Sequence, residues 1–204
     1  MEHLKLLMRL SLPVDANCVD VGANVGDVLR EIVASAPRGR HIAYEPLPDL
    51  AAELARRFPD VDVRNAALSD SPGEHPFFRV KSASTRSSLV PDNIDSSELE
   101  ELIVPCEVLD DALPTDYAPY LIKIDVEGAE AAALRGAQRI LHDHRPTVVL
   151  EHGSAPVAAT REIYELLTSP GLRVFDLDGR GPFSAPEFES IVQQGKIWNF
   201  VAHM

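Results

Sequence analysis

This sequence predicts an α/β fold built on one mostly parallel sheet, and three observations carry that reading. Short apolar runs alternate with amphipathic ones through the first two-thirds of the chain, the rhythm of strands joined by crossover helices. Acidic residues stand at the ends of two early runs, Asp20 and Glu45, and a pair of glycines, Gly22 and Gly26, follows the first. The chain has 204 residues, enough for one sizeable domain rather than two.

The elements follow in order. MEHLKLLMRLSLP opens the chain; Lys5 and Arg9 break its apolar residues and no small-residue cleavage site follows, so residues 1–16 read as a short N-terminal extension and not a signal peptide. NCVDV (17–21) reads as a strand, residues 27–36 as a helix stopped by Pro37, and HIAYE (41–45) as the next strand. In LPDLAAELARRF (47–58), Leu47, Leu50, Ala51, Leu54 and Phe58 recur near helical spacing. VDVRNAAL (61–68) alternates and reads as the third strand, giving parallel strands with right-handed crossovers.

Residues 69–115 change character and read as an insertion near the active site. HPFFRV (75–80) and IVPCEVL (103–109) look like strands, but KSASTRSSLVPDNIDSSELE (81–100) between them is rich in Ser, Asp and Glu without a period, the mark of a functional or disordered loop. The α/β rhythm then returns. YLIKID (120–125), PTVVLEH (146–152), LRVFDLD (172–178) and a closing KIWNFVAH (196–203) read as strands. GAEAAALRGAQRILHDH (128–144) and REIYELLTS (161–169) read as helices, and residues 178–186 as a Gly/Pro-rich connection.

Composition excludes several functions. Hydrophobic residues make up 45% and charged residues 25%, ordinary values for a globular protein. A net charge of −13 argues against a nucleic-acid partner, because phosphate neutralisation needs clustered Lys and Arg. No apolar run reaches transmembrane length, so no membrane partner is expected and the location expected is cytoplasmic. Cys18 and Cys106 lie in strand-like runs without a CxxC neighbour and read as buried free thiols.

VDVGANVGD (19–27) sits where a cofactor loop belongs, between the first strand and helix. It lacks the third glycine of a nicotinamide fingerprint and the Gly-Lys-Ser/Thr of a phosphate loop. Asp20, two residues before Gly22, would repel a pyrophosphate, whereas Glu45 at the tip of the second strand is placed to hold ribose hydroxyls. A ribose and a positive charge without pyrophosphate describe S-adenosylmethionine.

VDVGANVGD, YEP, NAALSD (65–70), IKIDVEGAE (122–130), the PTVVLEH strand and the terminal WNFVA together resemble the FkbM family of S-adenosylmethionine-dependent methyltransferases, over about residues 17–202. The resemblance implies a Rossmann-like class I methyltransferase fold, a seven-stranded, mostly parallel sheet flanked by helices, and methylation of a hydroxyl oxygen on a sugar, glycan or polyketide-type small molecule. It implies cofactor contacts from Asp20, Gly22, Ala23, Asn24, Gly26, Glu45, Pro46 and Asp125, with Ala67 and Leu68 near the adenine. It also sets serines of the 81–100 loop over the pocket, so Ser84, Arg86 and Ser88 are the acceptor-binding candidates. Family members carry a longer N-terminal portion, and the short one here leaves the cover of the pocket to that loop or to another subunit of a homo-oligomer.

LIKIDVEGAEAAAL (121–134) sets Lys123 and Asp125 in an apolar strand, a costly arrangement unless the charges are paired or used. Leu121, Lys123 and Asp125 share one face, with Asp125 at the carboxyl tip. Asp125, Asp20 and Glu151 are the candidate partners of Lys123, and Glu127 opens the following helix, where negative charge is favoured. For the base that removes a hydroxyl proton the candidates are Asp125 and His152, with Lys123 and Glu127 beside them. Asp125, Glu127, Glu151 and His152 could also gather round Mg²⁺, which no spacing requires. The alternative is a degenerate domain that binds cofactor as an assembly module without turnover.

Overall fold

The computed structural model describes residues 2–80, 89, 98–153 and 155–204. Helix α1 (Glu2–Ser11) leads to β1 (Cys18–Val21), α2 (Asp27–Ser35), β2 (His41–Tyr44), α3 (Pro48–Arg57) and β3 (Asp62–Arg64). A smaller unit follows: β4 (Ala67–Leu68), β5 (Gly73–Val80) and β6 (Leu99–Glu107). The chain continues through α4 (Leu109–Ala112), β7 (Leu121–Ile124), α5 (Glu130–Arg135), α6 (Gln138–His144), β8 (Thr147–Glu151), α7 (Val157–Thr168), β9 (Arg173–Asp176), α8 (Ala185–Gln194) and β10 (Asn199–His203).

Seven strands form one sheet in the order β3-β2-β1-β7-β8-β10-β9. The strands pair in parallel except β10, which is antiparallel to both β8 and β9. The order reverses between β1 and β7, so a crevice opens at their carboxyl ends, where open α/β sheets bind ligands. Alternation divides the buried side chains between two faces. Val19, Val21, Ile122, Ile124, Val148 and Leu150 join the larger core, while Cys18, Leu121, Val149 and Val201 pack with Leu4, Met8 and Ile32 from the α1 and α2 side. Leu4 and Met8, four apart on α1, account for why the N-terminal extension folds as a helix.

Two expectations need correction, and one element was not expected. The third strand is not continuous over 61–68: the Asn65 side chain donates to the carbonyls of Glu45 (3.0 Å) and Pro46 (2.9 Å), which turns the chain, and β4 leaves the main sheet to pair with β6. The helix expected over 128–144 is two helices. A side chain at Gly136 would meet the Ser69 carbonyl oxygen at 2.2 Å, and the Asp110 carboxylate accepts from the amides of Arg139 and Ile140, capping α6 as a new helix. Helix α8 was unforeseen, although its signals are legible: Ser184 and Glu187 form a capping box and Gly195 closes the helix in the left-handed region.

Candidate active site

The turn after β1 is built from left-handed residues. Gly22, Asn24 and Gly26 have φ of 73°, 49° and 78°. At Gly22 a Cβ would fall 1.9 Å from the Asp125 carbonyl oxygen, so the β1 turn and the end of β7 approach as closely as only glycine permits. Gly26 packs in the same way against Leu54 and Phe58 of the α3 segment.

Beside this turn lies a cavity of about 260 Å³. Of the residues singled out from sequence, Gly22, Asn24, Glu45, Pro46, Ala67, Leu68, Asp125 and Glu127 line it. Tyr44, Leu47, Phe77, Leu89 and Glu151 line it too, without having been foreseen as cofactor neighbours. Strand alternation could have flagged Phe77, which lies on the buried face of β5.

Glu45 is 4% exposed, yet both of its oxygens are satisfied. Oε2 accepts from the Asn24 amide at 2.7 Å and Oε1 from the Leu47 amide at 2.9 Å. Burial pushes its carboxyl above the usual range, more than these two hydrogen bonds pull it down. The carboxylate is thus locked in place with lone pairs to spare for further donors.

Asp20, Ala23 and Gly26 are not on the cavity wall. Ala23 and Gly26 pack beneath the turn against α3, and Asp20 is completely buried. Its Oδ1 lies 3.3 Å from Lys123 Nζ, and Asp125 Oδ2 lies at the same distance on the other side. Lys123 donates its best hydrogen bonds to main chain, the Gly22 carbonyl at 2.7 Å and the Val21 carbonyl at 3.3 Å. Burial opposes its charge, but the two carboxylates outweigh that and raise its pKa. Lys123 therefore ties the β1 turn to β7 from below and does not reach the cavity.

Glu127 is not in a helix. It has φ 50°, Gly128 has φ 99°, and α5 begins only at Glu130, because two successive left-handed residues cannot continue a helical turn. Glu130 Oε1 accepts from the Gly128 amide at 2.7 Å, and its Oε2 lies 3.5 Å from His152 Nδ1. His152 follows β8 directly, is buried, and has its Nε2 3.2 Å from Thr160 Oγ1 with Phe188 stacked on its ring. Sequence reasoning quoted Glu130 in its motif but gave it no part. Among the described residues no three His, Cys, Asp or Glu side chains gather closely enough to hold a metal ion, so Asp125, Glu127, Glu151 and His152 do not form the set considered for Mg²⁺. Ser84, Arg86 and Ser88 lie outside the described residues.

A doubly wound sheet of this order, with one antiparallel strand inserted near its edge and a Gly-rich turn after its first strand, is the class I methyltransferase fold. The chain belongs to the FkbM methyltransferase family: the model of the methyltransferase FkbM domain matches residues 20–174. Among solved structures, the methyltransferase FkbM of Methylobacillus flagellatus KT superposes with a TM-score of 0.57 at 20% identity, over 95% of this chain and 45% of that one. Fibrillarin of Aeropyrum pernix, with natively bound S-adenosyl-L-methionine, gives 0.51 at 15% identity, over 98% of this chain and 74% of that one. An O-methyltransferase of Bacillus cereus in complex with SAH gives 0.50 at 13%, over 98% and 77%. In sequence, the AMB antimetabolite synthetase AmbE of Pseudomonas aeruginosa is 42% identical over 82 residues, 38% of this chain and 4% of that protein. The chain thus spans a small part of that curated relative and under half of the FkbM structure. Among the described residues no helix is long and apolar enough to cross a membrane.

Proposed function

We propose that this chain is an S-adenosylmethionine-dependent O-methyltransferase acting on a hydroxyl of a small molecule. The observation that carries the reading is the cavity's lining of carboxylate acceptors and apolar side chains. Glu45 is fixed at one end, Ala67, Leu68, Phe77 and Leu89 supply an apolar wall, and Asp125 and Glu151 supply negative charge, with no Lys or Arg among the described lining residues. That set fits a nucleoside with a cationic centre and disfavours a pyrophosphate. Glu45 would accept from the ribose hydroxyls, the apolar wall would cover the adenine, and Asp125 would face the charged part.

S-adenosylmethionine when bound supplies an electrophilic methyl group on a sulfonium. The chain's part is to hold the acceptor oxygen in line with it and to take the oxygen's proton, the first worth the larger share of the rate. Asp125 and His152 are the bases suggested from sequence. Glu130 and Thr160 engage both nitrogens of His152, which favours a supporting role for the imidazole.

Calorimetric titration with S-adenosylhomocysteine tests the reading. Micromolar binding by the native protein, lost in Glu45→Ala, supports it; no binding by the folded native protein refutes it. The engaged His152 also favours a second reading, a cofactor-binding module without turnover, which predicts the same titration but no methyl transfer to any hydroxyl acceptor.

A further inference from the structure

Two cavities share one wall. The second, about 350 Å³, lies beyond the carboxyl ends of β7 and β8, with Glu130, His152, Pro156, Ile163 and Trp198 among its lining residues. Asp125, Glu127 and Glu151 line both cavities. The parallel register sets Lys123 opposite Val149, so Asp125 and Glu151, each two residues further on, share a face of adjacent strands. Asp125 is tied to Lys123 at 3.3 Å. Glu127 sits on a left-handed turn and has interactions of its own. Glu151 is half-buried, and its carboxylate makes no hydrogen bond or ion pair to another described residue.

We propose that the second cavity receives the acceptor, and that Glu151, at the boundary between the cavities, takes the proton of the reacting hydroxyl. This rests on the methyltransferase reading above. The carboxylate available at that boundary without an ion-pair partner is the one able to change its protonation state without breaking a structural contact. Burial, and after it the neighbouring Asp125 carboxylate, raise the Glu151 pKa, which makes it a stronger base than a surface glutamate. The proton passes from the acceptor oxygen to Glu151 as that oxygen bonds the methyl carbon. The carbon–sulfur pair stays on sulfur, leaving a neutral thioether, and Glu151 then releases the proton to water.

The walls also select the acceptor. Asp125, Glu127, Glu130 and Glu151 face the second cavity, and no described lining residue is Lys or Arg. An anionic acceptor would meet net repulsion from these described residues, so the class favoured is neutral or cationic. Trp198 stands at the rim, half exposed, with its indole N–H spent on the Gly195 carbonyl at 2.9 Å. Its ring face is left for an apolar or sugar face of the acceptor.

The test compares native protein with Glu151→Gln, which keeps shape and removes charge. Titrated calorimetrically, the variant should bind S-adenosylhomocysteine as the native protein does, yet bind S-adenosylmethionine about two- to fivefold more weakly, because the sulfonium loses a facing carboxylate. Methyl transfer from labelled S-adenosylmethionine to glycerol, serinol and methyl glucoside, beside glycerol 3-phosphate, gives the second readout. With a hydroxyl acceptor found, Glu151→Gln should lower kcat by about 10²-fold or more with little change in KM and lose the acid limb of the pH profile. Equal effects on the two cofactor forms, or label on glycerol 3-phosphate in preference to glycerol, would overturn the proposal. Without turnover of any of these probes the cofactor comparison decides alone. Failure of the native protein to bind either form sinks the methyltransferase reading itself.

Discussion

Lys123→Met removes an ammonium under the site and leaves two carboxylates behind. Asp125 is part-exposed and can rehydrate, but Asp20 is completely buried and has no other cation within ion-pair distance among the described residues. Breaking a buried ion pair from one side costs about 3–5 kcal/mol, since the remaining charge is uncompensated. The carbonyls of Val21 and Gly22 also lose a donor, each worth about 1 kcal/mol. A loss of about 5–7 kcal/mol at pH 7 is expected, read by urea unfolding followed by circular dichroism. The pH dependence has a definite sign. Burial already raises the Asp20 pKa more than Lys123 lowers it, and without Lys123 it rises further. A carboxyl raised in the folded state binds a proton more tightly there than when unfolded, so the variant should regain stability as the pH falls from 7 to 5. Adding Asp20→Asn removes the stranded charge, so the double variant should lose at least about 2 kcal/mol less than the sum of the single losses. A loss below about 1 kcal/mol, or additive losses, would refute the account of Lys123 as a buried tie.

Glu45→Gln should weaken S-adenosylhomocysteine binding by about 10–150-fold, the loss of a charged hydrogen bond to a ribose hydroxyl, measured by calorimetry. Because burial raises the Glu45 pKa, native binding should fail on acidification at a pH above the ordinary glutamate midpoint, and equal affinity at pH 7 and pH 4.5 would count against its role. Gly22→Ala and Gly195→Ala form a pair: both have positive φ, but a Cβ at Gly195 meets open space while one at Gly22 strikes the Asp125 carbonyl oxygen. The Gly195 variant should lose about 1–2 kcal/mol and keep cofactor binding, and the Gly22 variant should lose more stability and the binding too. Burial, and after it Asp20, push the Cys18 thiol up to about 12, so it should resist a disulfide reagent in the native state at pH 8 and react only on unfolding.

The periodic parts of the fold were legible because their cause is local. Each strand of the main sheet was placed to within a few residues, and the two apolar sets of YLIKID and PTVVLEH do separate onto opposite faces. Pairing the glycine turn with an acid at the next strand tip also identified the cavity's fixed carboxylate. What escaped depends on contacts between distant residues. The break after Arg135 arises from Gly136 against Ser69 and from Asp110, about thirty residues away, capping α6. No one-dimensional period records either contact. Helix α8 is a different case, since its cap residues Ser184, Glu187 and Gly195 are local signals that follow directly on a Gly/Pro-rich stretch.

Asp20 shows why a motif residue can matter without touching what the motif binds. Its position before Gly22 suggests a ligand contact, yet the strand turns its side chain down to Lys123, whose ammonium then reaches up to the carbonyls that open the turn. The chain of contacts runs Asp20, Lys123, Gly22, and from the Gly22 backbone to the Asp125 carbonyl oxygen that no Cβ could approach. Lys123 also offsets part of the charge of Asp20 and Asp125 at ion-pair distance, and from further away its charge pulls the Glu151 pKa down against burial. The acidic side chains common to the two cavities, Asp125, Glu127 and Glu151, all stand on their shared wall, at the ends of β7 and β8 and in the turn after β7. A ligand with a cationic centre is drawn to that wall, and Glu151, which stands on it without a partner among the described residues, is the carboxylate best placed to answer a change in the ligand's charge.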